Sequence, residues 1–271
     1  MASNDGRSNK AYLNQTFLSS AAARPLRILA EYLQPESRFE SLGISDTIVF
    51  FGSARLISRE AAEAALANAR SSGGDIAAAE QALAMSRYYE DCRDLARRVT
   101  EWSKKLESRT RRFVVCSGGG PGIMEAANRG ASEAKGLNIG LGISLPYEQS
   151  GNPYITRHLE FEFHYFFMRK FWLVYLAKAL VAFPGGFGTL DELFEVMTLL
   201  QTRKLEKRVP IVLFGTSFWD KVLNLQALVD FGTISAEDLT LFYKTDDVED
   251  AYNFIIDELT ENALASPGGR W

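Results

Sequence analysis

Short, uniformly apolar runs alternate along this chain with longer stretches of helical periodicity. Runs without polar alternation are typical of strands that are buried on both faces of a parallel sheet. Five such runs occur, at residues 46–51, 113–116, 138–143, 179–183 and 209–214. Residues 159–163 alternate between apolar and polar, which predicts an edge strand, and residues 241–244 predict a short last strand. Because parallel strands are joined through helices, we predict an α/β fold with a doubly wound parallel sheet.

The helical stretches between these runs set the predicted domain organisation. We predict helices at residues 21–33, 60–70, 76–105, 123–135, 166–178, 193–200, 218–231 and 248–259. The first should end at Pro35, because proline removes a helical hydrogen bond. We expect one domain over residues 41–261, with a helical insertion at about 57–86. Residues 1–40 would form a flexible N-terminus and a packing helix, and residues 262–271 a loose tail.

The predicted helix at residues 166–178 is apolar almost all round. A helix of this kind is buried on more than one side, and one domain offers it one such face. We therefore predict that part of it lies in a subunit interface. Arg169 and Lys170 lie near its start, where the helix dipole disfavours cations, and this placement predicts an anionic partner.

Composition narrows the classes of function. The chain has 271 residues, of which 46% are hydrophobic, enough for a sizeable core. Its net charge of −4 gives no bulk attraction for nucleic acid or an acidic membrane, so we expect neither as a partner. The N-terminus lacks the apolar core of a signal peptide, and charged residues interrupt the most apolar stretch, 166–183. Cys92 and Cys116 fit no metal or redox spacing, so we expect buried thiols in a cytoplasmic protein.

Two glycine-rich turns each follow an apolar run and precede a helix: the first glycine turn at residues 118–122, and the second at residues 184–188. Such turns expose backbone N–H groups, and the helix start adds unpaired N–H groups and a positive dipole end. Both lie at the carboxyl ends of parallel strands, so they can face one crevice, and one can hold a phosphate. Arg55 follows another strand there, as a phosphate ligand or as a surface residue. The dinucleotide fingerprint is not met, because its third glycine falls on Ile123. We predict a Rossmann-like domain for a mononucleotide or sugar phosphate.

Charged side chains near these turns carry the candidate chemistry. Arg169, Lys170 and Glu192 lie near the second glycine turn, and Glu125 lies just after the first. The chain's two histidines fit no serine-type triad. A carboxylate beside the C1′ of a ribose can stabilise an oxocarbenium-like transition state and direct a water, as in glycoside hydrolysis. Glu192 has an equally good structural interpretation, as the N3 residue of a capping box with Thr189 as N-cap.

Three motifs together resemble the LOG family, the cytokinin riboside 5′-monophosphate phosphoribohydrolases that were formerly labelled possible lysine decarboxylases. The motifs are GGGPGIME at 118–125, MRK at 168–170 and PGGFGTLDE at 184–192, the last fitting the pattern PGGxGTxxE. The resemblance extends over about residues 47–259. The decarboxylase label fails physically, because such an enzyme needs pyridoxal phosphate on a Schiff-base lysine. Lys170 is the only lysine near the motifs and has no recognisable pyridine-nitrogen partner, so we expect no cofactor and no metal.

The resemblance implies roles for individual residues. It assigns catalysis to Arg169 and Glu192. It implies substrate binding, with the phosphate held by the second glycine turn and the nucleotide lined by the first, for Gly118, Gly119, Gly120, Met124, Lys170, Gly185, Gly186, Gly188 and Thr189. The family is usually dimeric, with sites close to the interface, which implies a homodimer or a higher homo-oligomer. Short family members lack the N-terminal helix and the alanine-rich insertion.

The sequence therefore predicts an N-glycosyl hydrolase that acts on a nucleotide. The predicted substrate is a purine nucleoside 5′-monophosphate, either AMP or N6-prenyl-AMP, and the products are the free base and ribose 5-phosphate. The alternative is a non-catalytic carrier of a nucleotide or of molybdenum cofactor, since carriers of similar fold exist. A DNA-processing protein of related fold is disfavoured by the net charge of −4. Base release distinguishes the hydrolase from the carrier.

Overall fold

A seven-stranded parallel sheet forms the centre of the computed structural model, which describes residues 10–144 and 151–269. Its strands are β1 (Thr47–Phe51), β2 (Val114–Ser117), β3 (Asn138–Ile143), β4 (Glu160–Phe163), β5 (Ala177–Ala182), β6 (Ile211–Phe214) and β7 (Phe242–Thr245). Their spatial order is β4-β3-β2-β1-β5-β6-β7, and each neighbouring pair is parallel. The predicted α/β fold with a doubly wound parallel sheet is confirmed.

Helices cover both faces of this sheet. The α-helices are α1 (Gln15–Leu18), α2 (Arg24–Ser41), α3 (Arg59–Ser72), α4 (Ile76–Ser103), α5 (Ile123–Glu133), α6 (Phe166–Tyr175), α7 (Phe187–Gln201), α8 (Thr216–Val222), α9 (Leu225–Asp230) and α10 (Val248–Asn262). Short 3-10 turns at Ala11–Leu13, Ala21–Ala23 and Ala236–Leu241 complete the helical elements of the described residues.

Two apolar clusters fill the space between the helices and the sheet. One contains buried residues of α2, α6 and α7, and the other contains buried residues of α4, α5 and α10. Strand β1 contributes to both, because Val49 belongs to the first cluster and its neighbours Ile48 and Phe50 to the second. Successive side chains of a strand point to opposite faces, and both faces are covered here. This explains why the sequence of the strand is apolar without alternation.

The strand order reverses between β1 and β5. From β1 the chain continues through β2, β3 and β4 to one side, whereas from β5 it continues through β6 and β7 to the other. In open α/β sheets, ligands bind in the crevice at the carboxyl ends of the strands where the order reverses. The topology therefore points to the ends of β1 and β5.

Helix α6 is shorter than the predicted helix at residues 166–178. It ends at Tyr175, and β5 begins at Ala177. Ala177 is paired with Thr47 of β1, and the Thr47 N–H donates to the Leu176 carbonyl at 2.9 Å. Pairing with the sheet thus ends the helix. Periodicity could not place this boundary, because a fully buried helix and a fully buried strand are both continuously apolar.

Helix α2 continues through Pro35, where we predicted its end. Proline leaves the carbonyl four residues earlier, that of Glu31, without its helical donor. The indole Nε1–H of Trp172 in α6 donates to that carbonyl at 3.2 Å. The neighbouring helix therefore satisfies the acceptor that Pro35 leaves free.

The same contact covers part of α6. The rings of Tyr32 and Phe39 in α2 lie 5.6 and 5.4 Å from the ring of Trp172. This part of the apolar surface that we assigned to a subunit interface is buried within the chain. At the start of α6, Phe166 and Phe167 remain 50% and 55% exposed.

Two further helical predictions differ from the structure. The predicted helix at residues 218–231 is divided into α8 and α9, because the side chain of Asn224 accepts from the Ala227 N–H at 3.2 Å and begins a new helix. The predicted insertion at 57–86 ends inside α4, a single helix. The second half of α4, with Tyr89, Leu95 and other buried residues, packs on the sheet.

Residues 263–268, which follow α10, are tied to the amino edge of the sheet, so the prediction of a loose tail is wrong for these residues. The guanidinium of Arg112 pairs with the buried carboxylate of Asp46. It also donates to the carbonyls of Ala263 and Leu264 at 2.7 and 3.0 Å. The Gly268 N–H donates to Asp46 Oδ1 at 3.0 Å. Hydrogen bonding to buried charges thus orders a segment whose composition is typical of a tail.

Three parts of the predictions lie outside the described residues: 1–9, 145–150 and 270–271. Residues 11–18, which we expected to be loosely attached, form two short helical turns with largely exposed side chains. Across the two described ranges, no helix combines the length and the apolar character that crossing a bilayer requires.

Candidate functional site

The two glycine turns meet on either side of β1 at the carboxyl edge of the sheet. Ser53, just after β1, joins them. Its N–H donates to the Pro184 carbonyl at 2.9 Å, and its carbonyl accepts from the Ile123 N–H at 3.1 Å. A Cβ on Gly122 would lie 2.3 Å from the Ser53 carbonyl oxygen, and Gly122 has a φ of 72°. A glycine is therefore needed for this close approach, which brings both turns to one crevice.

Helix α7 begins inside the second glycine turn. Gly186 is its N-cap residue and Phe187 its first helical residue. The Leu190 N–H donates to the Gly186 carbonyl at 3.0 Å. The N–H groups of residues 187–189 precede this bond and have no intrahelical acceptor. Nothing lies within 4 Å of a Cβ built on Gly186 or Gly188. The start of α7 is therefore suited to an anion, because it combines free N–H donors, the positive end of the helix dipole and open space.

The capping-box interpretation of Glu192 is wrong. Thr189 is the third residue of α7 rather than its N-cap, and no side chain caps this helix. Thr189 instead packs on the preceding turn, since a Cβ on Gly185 would lie 2.1 Å from its Oγ1. Glu192 is therefore a residue of the helix body and has no capping role.

Glu192 forms an ion pair with Arg169 of α6 in the wall of the crevice. Arg169 Nη2 lies 2.9 Å from Glu192 Oε1, and Arg169 Nε donates to the Leu141 carbonyl at 2.9 Å. Each residue of the pair is only 9% exposed. A Cβ on Gly118 would lie 2.8 Å from Arg169 Nη2, so the first glycine turn gives the guanidinium its space. Within the described ranges, Arg169 is the one polar partner of the Glu192 carboxylate.

Burial changes the acidity of this carboxylate. Desolvation raises the pKa of Glu192 from 4.5 to about 7, although the nearby charge of Arg169 acts in the opposite direction. A carboxyl group with a pKa near neutrality can accept and release a proton at physiological pH. A perturbed carboxylate in a cleft, with a specific charged partner, is typical of a functional site.

Lys170 has its partners on the surface of α7. Its Nζ lies 2.8 Å from Asp191 Oδ2 and 3.3 Å from Glu195 Oε2. The anionic partners predicted for Arg169 and Lys170 are thus carboxylates of the next helix. These ion pairs hold α6 against α7, and Lys170 does not line the crevice.

The crevice has a volume of about 610 Å³, which is within the usual range for small-molecule sites. It is lined by eight of the predicted site residues: Gly118, Gly120, Met124, Arg169, Gly186, Gly188, Thr189 and Glu192. Gly119 and Gly185 do not line it. Gly119 packs on β3 instead, since its Cβ would lie 3.2 Å from the Cα of Gly140. These two glycines shape the turns.

Further lining residues come from elements to which the sequence analysis gave no firm role. They are Gly52, Ser53, Ala54, Arg55, Ile143, Phe166 and Phe187. Arg55 is exposed, and within the described ranges its side chain forms no ion pair. Its position after a central strand was a usable signal. Ile143, Phe166 and Phe187 gave no signal, because apolar residues at element ends look like core residues.

A buried amide network holds the first glycine turn, and the sequence analysis missed it. Asn128 of α5 is fully buried, and its Oδ1 accepts from Ser117 Oγ at 2.7 Å and from Asn152 Nδ2 at 2.9 Å. Asn152 Nδ2 also donates to the carbonyls of Gly119 and Gly120, both at 3.1 Å. An asparagine among the alanines of an apolar helix face was the available signal, since buried amides require partners.

The remaining candidate groups lie apart from the crevice. Glu125 accepts from Tyr89 Oη at 2.6 Å between α5 and α4. His158 and His164 are exposed, and neither lines the crevice. In the described part of the chain, no group of three His, Cys, Asp or Glu residues is arranged to hold a metal ion. Cys92 and Cys116 are buried free thiols, as predicted.

The fold and the crevice define a Rossmann-like α/β protein with a cleft, suited to an anion, where its strand order reverses. A family model described as possible lysine decarboxylase matches residues 124–255. This is the description once given to the LOG family, so the resemblance predicted from the motifs is confirmed. The family supports a nucleotide-related function.

Three solved structures are similar to the chain. TM1055, a structural-genomics target, is 21% identical with a TM-score of 0.46, over 78% of this chain and 99% of that one. The molybdenum cofactor binding protein from the phototrophic bacterium Rippkaea orientalis is 18% identical with a TM-score of 0.43, over 63% and 86%. The Moco carrier protein from Chlamydomonas reinhardtii is 18% identical with a TM-score of 0.48, over 80% and 99%. Similarity at this level carries no functional information. No curated protein matches the chain significantly.

Proposed function

We propose that the protein hydrolyses the N-glycosidic bond of a purine nucleoside 5′-monophosphate, AMP or N6-prenyl-AMP, to the free base and ribose 5-phosphate. The observation that carries the proposal is the buried pair of Glu192 and Arg169, 2.9 Å apart, in the crevice that also contains the open start of α7. The LOG-family domain at residues 124–255 supports the same class of reaction.

The start of α7 is the proposed phosphate site. Its N–H groups at residues 187–189 are available, and the glycines at 186 and 188 leave space for the phosphate oxygens. The Thr189 hydroxyl adds a donor in the same wall of the crevice. Arg55, which lines the crevice as well, adds a cation that no carboxylate of the described residues neutralises. A phosphate bound there would hold the ribose near Glu192, one helical turn further along α7.

Glu192 is the proposed catalytic carboxylate. In the reaction the C1′–N9 bond breaks, its electron pair leaves with the base, and the ribose develops oxocarbenium character. The carboxylate stabilises this charge and accepts a proton from the attacking water, whose oxygen forms the new bond to C1′. The departing base takes up one proton from solvent and is released as the neutral purine, and Glu192 returns its proton to solvent. Its pKa of about 7 suits proton transfer near neutral pH. Arg169 orients the carboxylate and contributes to holding the ribose phosphate.

The base would lie against the apolar part of the crevice. Met124, Ile143 and Phe166 line this part, and an apolar wall is suited to a purine ring or to a prenylated one. We keep both bases in the proposal, and the product profile distinguishes them.

The test is incubation of the purified protein with AMP and with isopentenyl-AMP, followed by chromatography of the products. We expect free base and an equal amount of ribose 5-phosphate from at least one nucleotide. Adenosine is the matched control, because it lacks the phosphate that α7 would bind, and it should react far more slowly. No base release from either nucleotide would contradict the proposal. Tight AMP binding without base release would favour the alternative, a non-catalytic carrier of a nucleotide or of molybdenum cofactor.

A homodimer or higher homo-oligomer is also part of the proposal. Phe187 is 92% exposed at the start of α7, and Phe166, which lines the same crevice, is 50% exposed. Phe167, the next residue of α6, is 55% exposed. Exposed aromatic residues in one area are typical of interaction surfaces. Light scattering after size exclusion should give a multiple of the 30.2 kDa chain mass, and a monomer at micromolar concentration would contradict this part.

A further inference from the structure

Helix α6, which carries Arg169, is capped by a residue of another helix. Its N-cap residue, Tyr165, makes no side-chain cap hydrogen bond. The third residue of the helix is Met168, which cannot act as the glutamate of a capping box. The carboxylate of Glu31 in α2 takes this place. Its Oε1 accepts from the His164 N–H at 2.8 Å, and its Oε2 accepts from the Tyr165 N–H at 3.2 Å. A carboxylate at this position also complements the helix dipole.

Glu31 holds α6 at a second point. Its backbone carbonyl accepts from Trp172 Nε1 at 3.2 Å, two turns along α6. This acceptor is free because Pro35, four residues later in α2, has no N–H to donate. One residue of the N-terminal helix therefore binds both the start of α6 and the end of its second turn. Two attachment points fix the position of a helix along its axis and its rotation about that axis.

Arg169 lies between these two points. Its N–H donates to the carbonyl of Tyr165 at 3.2 Å, so its backbone is one turn from the Glu31 carboxylate. Its guanidinium reaches the Leu141 carbonyl and Glu192, both at 2.9 Å, from a buried position with little free space. A shift or rotation of α6 would move the guanidinium away from Glu192. The ion pair in the crevice thus depends on how α6 is held.

We infer that Glu31 is a positioning residue for Arg169, and that the N-terminal helix α2 is part of the framework of the active site. Glu31 does not line the crevice and acts only through α6. The kinetic consequence rests on the proposed function. The placement of α6 by Glu31 does not depend on the proposed function, so it can be tested separately.

The kinetic test compares variants of the full-length protein with AMP as substrate. Glu31→Ala should lower kcat by about 10- to 100-fold, because a displacement of a catalytic group by about 1 Å has this effect. The KM for AMP should change by less than about threefold, since phosphate binding at α7 is intact. Glu31→Gln retains one acceptor oxygen and should recover part of the lost kcat. Glu40→Ala is the matched control, because Glu40 is exposed on the same helix, and it should keep the wild-type kcat.

Hydrogen exchange provides a readout that does not require turnover. In Glu31→Ala the amides of residues 164–170 should exchange about tenfold faster, as expected for the loss of hydrogen bonds to a charged group. The amides of α4 and of the sheet should exchange as in the wild type.

Unchanged exchange in α6, or an unchanged kcat in Glu31→Ala of an active enzyme, would overturn the inference. Equal acceleration across the whole chain would overturn it too, because it would show a general effect on folding. If the wild type releases no base from any nucleotide, the proposed function fails, and the exchange of α6 still decides whether Glu31 fixes this helix.

Discussion

Two buried arginine–carboxylate pairs lie at opposite edges of the same sheet. Arg112 pairs with Asp46 at the amino edge, and Arg169 pairs with Glu192 at the carboxyl edge. The side chains are 5% and 0% exposed in the first pair and 11% each in the second. Burial alone therefore does not distinguish the two pairs. The difference lies in the hydrogen-bond partners that surround each of them.

The pair at the amino edge is saturated with hydrogen bonds. Arg112 also donates to two backbone carbonyls of the C-terminal segment, and Asp46 accepts from the Gly268 N–H at 3.0 Å. The Nζ of Lys178 lies 3.8 Å from the same carboxylate. Each charged group thus has several fixed partners, and the pair joins the C-terminal segment to the sheet.

The pair at the carboxyl edge is left incomplete. Arg169 is the one polar partner of Glu192 within the described ranges, and the carboxylate lines an open crevice. Burial of the carboxylate raises the pKa of Glu192 to about 7, although the charge of Arg169 acts in the opposite direction. Complete hydrogen bonding therefore makes a buried ion pair structural, whereas a buried carboxylate with a single polar partner beside a cleft is available for chemistry.

The largest effect should come from breaking the saturated pair. Asp46→Ala leaves the charge of Arg112 buried without its carboxylate and should lower the free energy of unfolding by about 3–5 kcal/mol. Urea denaturation measures this change. Asp220→Ala is the matched control, since it breaks an exposed pair with Lys244 and should have an effect below about 1 kcal/mol. Equal effects of the two variants would remove the structural role of the amino-edge pair.

Glu192→Gln, in contrast to Asp46→Ala, should lower the activity without lowering the stability. We expect kcat with AMP to fall about 100- to 1000-fold, because the base that accepts the proton of water is lost. AMP affinity, measured by calorimetry, should stay within about threefold, and the fold should not be destabilised. Glu195→Gln, one turn along α7, should retain most of the activity. A wild-type rate for Glu192→Gln would exclude Glu192 from the mechanism.

The pH dependence of the rate sharpens the distinction between the pairs. Burial raises the pKa of Glu192 to about 7, and the ionised form is the active one. The value of kcat should therefore fall about tenfold per pH unit below about pH 7. Rates between about pH 4 and pH 9 test this, and an acid limb near pH 4.5 would show that the carboxylate is not desolvated in the working enzyme.

The same pKa predicts a change in stability. A carboxyl group with a raised pKa binds its proton more tightly in the folded state, so its contribution to stability falls as pH rises from about 4.5 to about 7. Glu192→Gln removes the ionisable group and with it this loss of stability at high pH. Its melting temperature relative to the wild type should therefore be higher at pH 8 than at pH 5, and a difference independent of pH would count against the raised pKa.

The smallest effect should come from the outer ion pairs of α6. Lys170→Met removes the contacts with Asp191 and Glu195, and pairs at the surface contribute about 0–1 kcal/mol. We expect kcat/KM for AMP to change by less than about threefold. A large rise in KM would instead support the substrate-binding role that the family resemblance implied for Lys170.

Local sequence features predicted the parts of the protein that depend on local chemistry. The uniformly apolar runs gave the strands of the parallel sheet, because their side chains pack on both faces. The glycines of both turns, with Arg169 and Glu192, gave the elements that line the crevice. In each case a property of the residue itself explains its position. The strand residues are apolar, the glycines lack a Cβ, and Arg169 and Glu192 are charged.

Only the tertiary structure decided the features that depend on a partner far away in the sequence. Pro35 is compatible with a helix because Trp172 supplies a donor to the free carbonyl, and residues 263–268 are held in place because Asp46 and Arg112 bind their backbone. Glu192 fits a capping box by pattern, yet the first turn of α7 begins three residues earlier and places it beside Arg169. The sequence by itself determined which groups are present. The packing of α2, α6 and α7 decided which of them have partners, and hence which carboxylate lies in the crevice with Arg169 as its one polar partner among the described residues.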